Sequence, residues 1–239
     1  AGRAAAIFAV FVVNGDRLHL SVFDGSHAYL YEAKILPDGQ LTGIYRSGNH
    51  FKTYWEGKRS DSIELKSLGD PLGLTIMNND EVFKLALSDT KGNRIDISQG
   101  TFAGKPKILQ IMGTWCPNCK DETAFLLGYL KDNPDPGFEI LGVSFERHTD
   151  TTKAIAAIET YKTKMQIPYP IVYGGINDKK KAGEVFPMLN KVVAYPTLIF
   201  LDKYNKVVAI HTGFSGPATS GYAAFKEEFS ALVTKMKSR

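Results

Sequence analysis

The chain has 239 residues, of which 44% are hydrophobic and 23% are charged. This composition is typical of soluble globular proteins and excludes fibrous and wholly disordered architectures. No run of about 18 apolar residues occurs, so the sequence predicts no membrane-spanning helix. The net charge of +4, from 29 basic and 25 acidic residues, is too small for a nucleic-acid-binding surface. At roughly 100–200 residues per domain, the length allows one large domain or two small ones.

The chain starts with an apolar segment, residues 4–13, that follows the single basic residue Arg3. Asn14 and Gly15 come next as a turn signature, and the segment lacks a small-residue cleavage site. We therefore predict a buried strand here, with a remnant of a targeting segment as the alternative. The sequence does not begin with Met, so we expect further sequence upstream.

Glycine-containing turns divide the first part of the chain into short stretches rich in β-branched and aromatic residues. This pattern is typical of an antiparallel meander. The predicted strands cover residues 17–23, 27–36, 41–46 and 51–56. We therefore expect a small antiparallel all-β domain, a meander or partial barrel, over residues 1–74. A linker rich in turn-forming residues is predicted at residues 75–79.

From residue 80 onward, predicted strands alternate with predicted helices. The strands cover residues 83–87, 94–97, 107–112, 138–145, 197–201 and 207–211, and the helices cover residues 116–130, 150–165, 179–186 and 222–236. Residues 107–112 form an apolar run, as expected of a strand buried on both faces. The order predicts an α/β domain over residues 80–239, with a central sheet and helices on both faces.

Cys116 and Cys119 are the only cysteines, in a Cys-Pro-Asn-Cys motif that follows a predicted strand and opens a helix. As a structural disulfide the pair closes a four-residue loop, for which the chain-entropy relation gives only about 2 kcal/mol. As a zinc site it supplies two of the four ligands needed, and the five histidines show no ligand-like pairing. The third interpretation, redox chemistry, is the one that the position of the pair favours.

The redox interpretation has a direct physical basis. At positions i and i+3 of a helix, two sulfurs lie on one face and are close enough to bond. Cys116 lies at the helix start, where free N–H groups and the helix dipole favour its thiolate, the attacking species in disulfide exchange. A second thiol nearby resolves the mixed disulfide. Pro117 suits the first turn, since that position needs no N–H.

Residues 113–122, Gly-Thr-Trp-Cys-Pro-Asn-Cys-Lys-Asp-Glu, and the later Tyr195-Pro196-Thr197 resemble the thioredoxin superfamily. Within it, residues 80–239 are similar to the TlpA/ResA-like extracytoplasmic thiol-disulfide oxidoreductases. The resemblance implies a thioredoxin-like domain with a central mixed sheet, preceded here by the β-rich region. It also implies that Cys116 is the exposed nucleophile and Cys119 the resolving thiol.

The same resemblance implies supporting roles around the pair. Pro196 is implied to be a cis-proline that faces the disulfide and shields it from metal, although only about 5–6% of X-Pro bonds in folded proteins are cis. The backbone at Tyr195 is implied to pair with an extended segment of a partner, and Thr197 completes the motif. Trp115 is implied to cover the sulfurs. The alternatives are an edge-strand proline and an ordinary core aromatic residue.

Glu122, three residues after Cys119, matches the carboxylate of the TlpA/ResA-like branch, whereas Gln110 stands where thioredoxin itself has a buried Asp. A carboxylate beside buried thiols can accept and return the proton of Cys119 when burial raises its pKa. The alternative is a solvated Glu on the helix surface. The branch also tends to insert a helix and a strand in mid-domain, for which residues 146–190 leave room.

These features predict a thiol-disulfide oxidoreductase that exchanges a Cys116–Cys119 disulfide with cysteine-containing protein substrates and with an upstream redox partner. We expect no metal, and no cofactor besides this disulfide. One alternative is a redoxin-type thiol peroxidase, although Gly113 stands where that chemistry usually has Thr or Ser. Another is a binding protein with a vestigial redox domain. The resemblance implies an extracytoplasmic location, the bacterial periplasm, with membrane attachment only through an upstream anchor.

Overall fold

The computed structural model describes residues 8–23, 28–47, 51–59, 70–217, 219 and 221–239. The chain divides into two compact units, Ala1–Lys66 and Ser67–Arg239. An all-β unit is followed by an α/β unit, so the predicted fold class is confirmed. Among the described residues, no helix has both the length and the apolar character needed to cross a membrane.

The first unit holds an antiparallel meander. Its strands are β1 (Phe8–Asn14), β2 (Arg17–Phe23), β3 (Ala28–Ile35), β4 (Leu41–Ser47) and β5 (Phe51–Gly57), paired in that order. Gly15 and Gly39 have φ values of +59° and +80° in the turns, a region that glycine adopts without strain. Across the sheet, the rings of Tyr31 and Tyr45 pack with centroids 4.5 Å apart.

The prediction that the first strand is buried is wrong. Side chains 10–13 of β1 are between 47% and 70% exposed, with Phe11 the most exposed. Among the described strands, β1 pairs with β2 alone and lies at the edge of the sheet. Its Val and Phe residues therefore reflect strand propensity, which does not require burial. The part of this prediction that concerns residues 4–7 lies outside the described residues, as does the predicted strand start at residue 27.

The described residues of the second unit contain seven strands, four α-helices and a short 3-10 helix, Gly100–Phe102. The strands are β6 (Ala86–Ser88), β7 (Arg94–Asp96), β8 (Lys107–Met112), β9 (Glu139–Glu146), β10 (Ile171–Ile176), β11 (Thr197–Leu201) and β12 (Val207–Thr212). The helices are α1 (Pro117–Asp132), α2 (Thr151–Met165), α3 (Lys179–Val185) and α4 (Tyr222–Lys237).

A five-stranded mixed sheet of order β10-β9-β8-β11-β12 forms the centre of this unit, beside the small β6-β7 hairpin. β8, β9 and β10 are parallel, whereas β11 is antiparallel to both β8 and β12. Because β8 and β9 are parallel, their carboxyl ends meet at one edge of the sheet. Functional groups in such sheets gather at that edge.

The sheet has a hydrophobic core on each face. Ile108 of β8 packs with residues of α1, α2 and α4 such as Leu126 and Phe229. Leu109, the next residue, packs on the opposite face with Phe186, at the end of α3. The predicted helices on both faces are therefore confirmed. Successive side chains of β8 alternate between the faces, so position 110 belongs to the α1 side.

The predicted linker at residues 75–79 belongs to the second unit. The backbone N–H groups of Ile76 and Asn78 donate hydrogen bonds to Asn190 Oδ1 at 3.0 Å and to the Met188 carbonyl at 2.8 Å. The turn-forming residues of this segment therefore shape a strap bound to the α/β unit. The boundary between the two units lies upstream of it.

Two further elements differ from the prediction. β10 has no counterpart among the predicted strands, because Gly174 and Gly175 interrupt its apolar pattern at a bulge. Together with α2 it occupies the place that the resemblance leaves for an inserted helix and strand. β6 begins at Ala86 rather than at residue 83, and the backbone N–H of Phe83 donates to the Asn205 carbonyl at 2.8 Å instead of pairing with β7.

Candidate active site at Cys116 and Cys119

The cysteine pair lies where β8 ends and α1 begins. Cys116 is the N-cap of α1, and its sulfur accepts a hydrogen bond from the backbone N–H of Cys119 at 3.3 Å. Pro117 is the first residue of the helix, as predicted, where its missing N–H costs nothing. Both cysteines are free thiols. The local sequence therefore places one sulfur at the helix tip and the other one turn further along.

The expectation that Cys116 is exposed is wrong in this structure. Its exposed fraction is 5%, and Cys119 is fully buried. The segment before β11 reaches the pair, because the Cys116 sulfur lies 3.7 Å from the carbonyl oxygen of Tyr195. Cys116 is still the more accessible of the two thiols.

The surroundings shift the pKa values of the two thiols in opposite directions. A hydrogen bond from the Cys119 thiol lowers the pKa of Cys116, with further lowering by backbone N–H groups and by Arg147. Burial is the main cause that raises the pKa of Cys119 well above its ordinary value. Cys116 is thus the thiol that ionises first, and Cys119 stays protonated until another group takes its proton.

The Tyr195–Pro196–Thr197 segment faces the pair. The Tyr195–Pro196 peptide bond is cis. The Pro196 carbonyl accepts a hydrogen bond from the N–H of Gly213 at 2.8 Å, and the Thr197 hydroxyl donates to the Ala194 carbonyl at 2.9 Å. Both contacts fix the loop that brings the Tyr195 carbonyl to the Cys116 sulfur.

Trp115 is half-buried beside the pair. Its indole N–H donates to the Phe145 carbonyl at 2.8 Å, and its ring packs edge-on against Tyr195 with centroids 5.7 Å apart. The Arg147 guanidinium lies over the ring, 4.5 Å from its centre. Trp115 is therefore held by the end of β9 on one side and by the cis-proline loop on the other.

Glu122 is fully buried, so the alternative of a solvated surface residue is wrong. It shares the buried face of α1 with Cys119, Thr123 and Leu126, which are spaced as one helical stripe. This spacing is the sequence pattern that could have predicted its burial. Burial raises the pKa of Glu122 well above its ordinary value, while a hydrogen bond from Gln110 acts in the opposite direction.

Sequence reasoning missed Glu146, the last residue of β9. Its buried carboxylate accepts hydrogen bonds from the Thr114 N–H at 3.0 Å, the Thr114 hydroxyl at 2.7 Å and the Ser144 hydroxyl at 2.6 Å. It therefore holds the loop that leads into Cys116. Its position at the carboxyl end of a predicted buried strand was a signal in the sequence. Because the strand before it ends at the cysteines, a polar residue there could have been predicted to lie near the pair.

Gly113 is required by close packing rather than by its backbone angles. A Cβ at this position would lie 2.4 Å from Trp115 Nε1 and 2.7 Å from the Phe145 carbonyl oxygen.

We expect Gly113→Ala to break the hydrogen bond between these two groups and to destabilise the protein by about 1–3 kcal/mol. Gly128→Ala on α1 is the matched control, because a Cβ there meets nothing within 4 Å. Denaturant unfolding of both variants measures the difference, and equal stabilities would contradict the packing argument.

A structural metal ion needs several ligating side chains close together. The described part of the chain contains no cluster of three or more His, Cys, Asp or Glu side chains suited to a metal ion. The zinc interpretation of the cysteine pair therefore finds no further ligands among the described residues.

Comparison with known proteins identifies the family. A sequence model of the AhpC/TSA family matches residues 79–210. The chain belongs to the AhpC/TSA family. It is 26% identical over 139 residues to thiol-disulfide oxidoreductase ResA of Bacillus subtilis, a match that covers 58% of this chain and 69% of the relative. ResA of Geobacillus kaustophilus is 27% identical over 127 residues, which are 53% of this chain and 64% of the relative.

Solved structures of bacterial proteins are similar to the α/β unit, and two of them serve as examples. A thiol-disulfide oxidoreductase of Bacteroides fragilis is 22% identical, with a TM-score of 0.46, and the match covers 62% of this chain and 99% of that one. A thiol:disulfide interchange protein of Chlorobium tepidum is 18% identical, with a TM-score of 0.47, and the match covers 65% of this chain and 94% of that one. The curated relatives confirm the predicted family resemblance, and the α/β unit of this AhpC/TSA protein is of the thiol-disulfide oxidoreductase class.

Proposed function

We propose that this protein exchanges a Cys116–Cys119 disulfide with cysteines of partner proteins. The observation that carries this proposal is that the pKa values of the two thiols are shifted in opposite directions. Cys116, at the helix start, has its pKa lowered, chiefly by the hydrogen bond from Cys119, while burial raises the pKa of Cys119. Disulfide exchange needs such a pair, in which one thiolate attacks the partner disulfide and a second thiol later resolves the mixed disulfide.

In the reducing direction the Cys116 thiolate attacks one sulfur of a partner disulfide. A bond forms between Cys116 and that sulfur, and the other partner cysteine leaves as a thiolate. Cys119 then loses its proton and attacks Cys116, which forms the Cys116–Cys119 bond and releases the second partner thiolate. The partner gains two electrons and the protein loses two, so an upstream dithiol must reduce the pair again.

Several neighbours support these steps. The Tyr195 carbonyl, beside the Cys116 sulfur, is a main-chain acceptor for an extended partner segment, with Pro196 and Thr197 fixing its loop. The Trp115 ring limits access of water from one side. Glu122 is the group that takes the proton of Cys119, because it is buried near both thiols and shifts the pKa of Cys119 through its charge.

The proposal includes an extracytoplasmic location, in the bacterial periplasm. The chain has two cysteines, both in the active pair, so no other thiol is present to form a wrong disulfide in an oxidising compartment. Cysteine-containing proteins are the proposed substrates, and the disulfide itself is the only redox group that the proposal needs.

Trapping tests the proposal. A Cys119→Ser variant retains the attacking thiol and lacks the resolving one, so we expect it to accumulate a mixed disulfide with a disulfide-containing protein such as insulin. Mass spectrometry of the non-reduced adduct should place the link at Cys116. Wild-type protein under the same conditions should release reduced insulin and accumulate little adduct. Rapid peroxide consumption that depends on Cys116, without an adduct, would instead favour a thiol peroxidase.

A further inference from the structure

A buried group of polar side chains lies beneath the cysteine pair, between β8 and α1. Gln110 and Thr123 are fully buried, as is Glu122. The Gln110 Nε2 donates to Glu122 Oε2 at 2.9 Å and lies 3.2 Å from the Thr123 hydroxyl oxygen. The Tyr169 hydroxyl donates to the Gln110 Oε1 at 3.3 Å. The amide of Gln110 is therefore held at both ends, with its N–H group directed at the carboxylate.

The two oxygens of Glu122 have different surroundings. Oε2 accepts the bond from Gln110, whereas Oε1 is buried without a hydrogen-bond partner among the described residues. An oxygen that accepts an N–H hydrogen bond is the poorer site for a proton, because the bond occupies one of its lone pairs and stabilises its negative charge. A buried polar oxygen without a partner is costly and calls for an explanation in function.

We propose that Gln110 is a positioning residue that reserves Glu122 Oε1 for the proton of Cys119. This inference rests on the proposed function. When Cys119 attacks the mixed disulfide, its S–H proton moves to Oε1, its sulfur forms the bond to Cys116, and the bond from Cys116 to the partner sulfur breaks. The partner sulfur keeps the electron pair and leaves as a thiolate. The donor at Oε2 stabilises the carboxylate that must be present before the transfer.

The ionisable groups that face Glu122 define what a pH profile reports. They are the thiols of Cys116 and Cys119 at the start of α1, the Tyr161 phenol on α2 and the Tyr169 phenol before β10. Burial raises the pKa of both phenols above their ordinary range, so they stay protonated. Burial likewise keeps the Cys119 thiol protonated, so below alkaline pH the titrating groups are the Cys116 thiol and Glu122.

The reaction of the reduced protein with dithiobis(nitrobenzoate) measures the rate of the Cys119 step directly. The first thionitrobenzoate leaves when Cys116 attacks the reagent, and the second leaves when Cys119 attacks the Cys116 adduct. The second phase should accelerate with rising pH as Glu122 ionises. Gln110→Met removes the donor to Oε2, so the carboxylate is less stable and the profile should move to higher pH. Near neutral pH we expect the second phase to slow about tenfold.

Two comparisons separate this role from a structural one. In a Glu122→Gln background, Gln110→Met should cause no further slowing, because its effect acts only through the carboxylate. Lys107→Met on the same strand is the matched control. It removes a buried hydrogen bond, to Asn205, at the other end of β8, and should leave the profile of the second phase unchanged.

The outcomes are distinguishable. An unmoved pH profile in Gln110→Met, or a slowing that persists in the Glu122→Gln background, would overturn the role of Gln110. A protein in which the first phase does not depend on Cys116 would instead overturn the proposed function. If Gln110→Met does not fold, Gln110→Asn takes its place with the same expected shift, because the shorter side chain cannot reach Oε2.

Discussion

Cys116→Ser is expected to abolish disulfide exchange, leaving only the uncatalysed rate. A serine hydroxyl at the helix tip does not ionise in the accessible pH range, and Cys119, fully buried with its pKa raised by burial, cannot replace the lost thiolate. The measurement is reduction of insulin by the protein in the presence of excess dithiol, followed by turbidity. Because a cysteine-to-serine change is small, the fold should be retained, and a thermal melt checks this.

The matched control is Cys119→Ser, which should keep the first step and lose turnover. The two variants therefore fail differently, one before and one after the mixed disulfide. Substantial turnover by Cys116→Ser would contradict the assignment of the nucleophile. A loss of the first step in both variants would indicate instead that the pair is needed to maintain the site.

Glu146→Ala is expected to lower the free energy of unfolding by about 3–5 kcal/mol. The change leaves the Thr114 N–H, the Thr114 hydroxyl and the Ser144 hydroxyl without their common acceptor in a buried site. Each unpaired buried donor costs about 1–3 kcal/mol. Because Thr114 precedes Trp115 and Cys116, the exchange rate should fall along with stability. Denaturant unfolding measures the first effect and insulin reduction the second.

Glu139→Ala provides the control for Glu146→Ala, since Glu139 stands at the opposite end of the same strand. Its carboxylate pairs with Lys105 at a partly exposed position, and such pairs contribute about 0–1 kcal/mol. Glu146→Gln should be intermediate, because the amide keeps one acceptor but turns its own N–H groups toward other donors. A Glu146→Ala variant as stable as Glu139→Ala would show that the bonds around Thr114 do not stabilise the loop.

The sequence predicted most elements of the α/β unit because their patterns are local and strong. The run 107–112 and the stripe of α4 bury their apolar residues as expected. The failures have a common cause. The strand β1 has the composition of a buried strand and lies at an edge, and the segment 75–79 has the composition of a linker and binds to residues 188–190. Composition reports propensity, whereas burial depends on what packs against the segment.

The sequence by itself determined the local geometry of the cysteine pair, since Cys116, Pro117 and Cys119 make their contacts within one turn of a helix, and such contacts follow from spacing. Only the tertiary structure decided which side chains on other elements contact the groups around that pair. Glu122 lies against Gln110 of β8, and Thr114 lies against Glu146 of β9. These pairs join elements separated along the chain, and their hydrogen bonds exist because the helix and the two strands pack together.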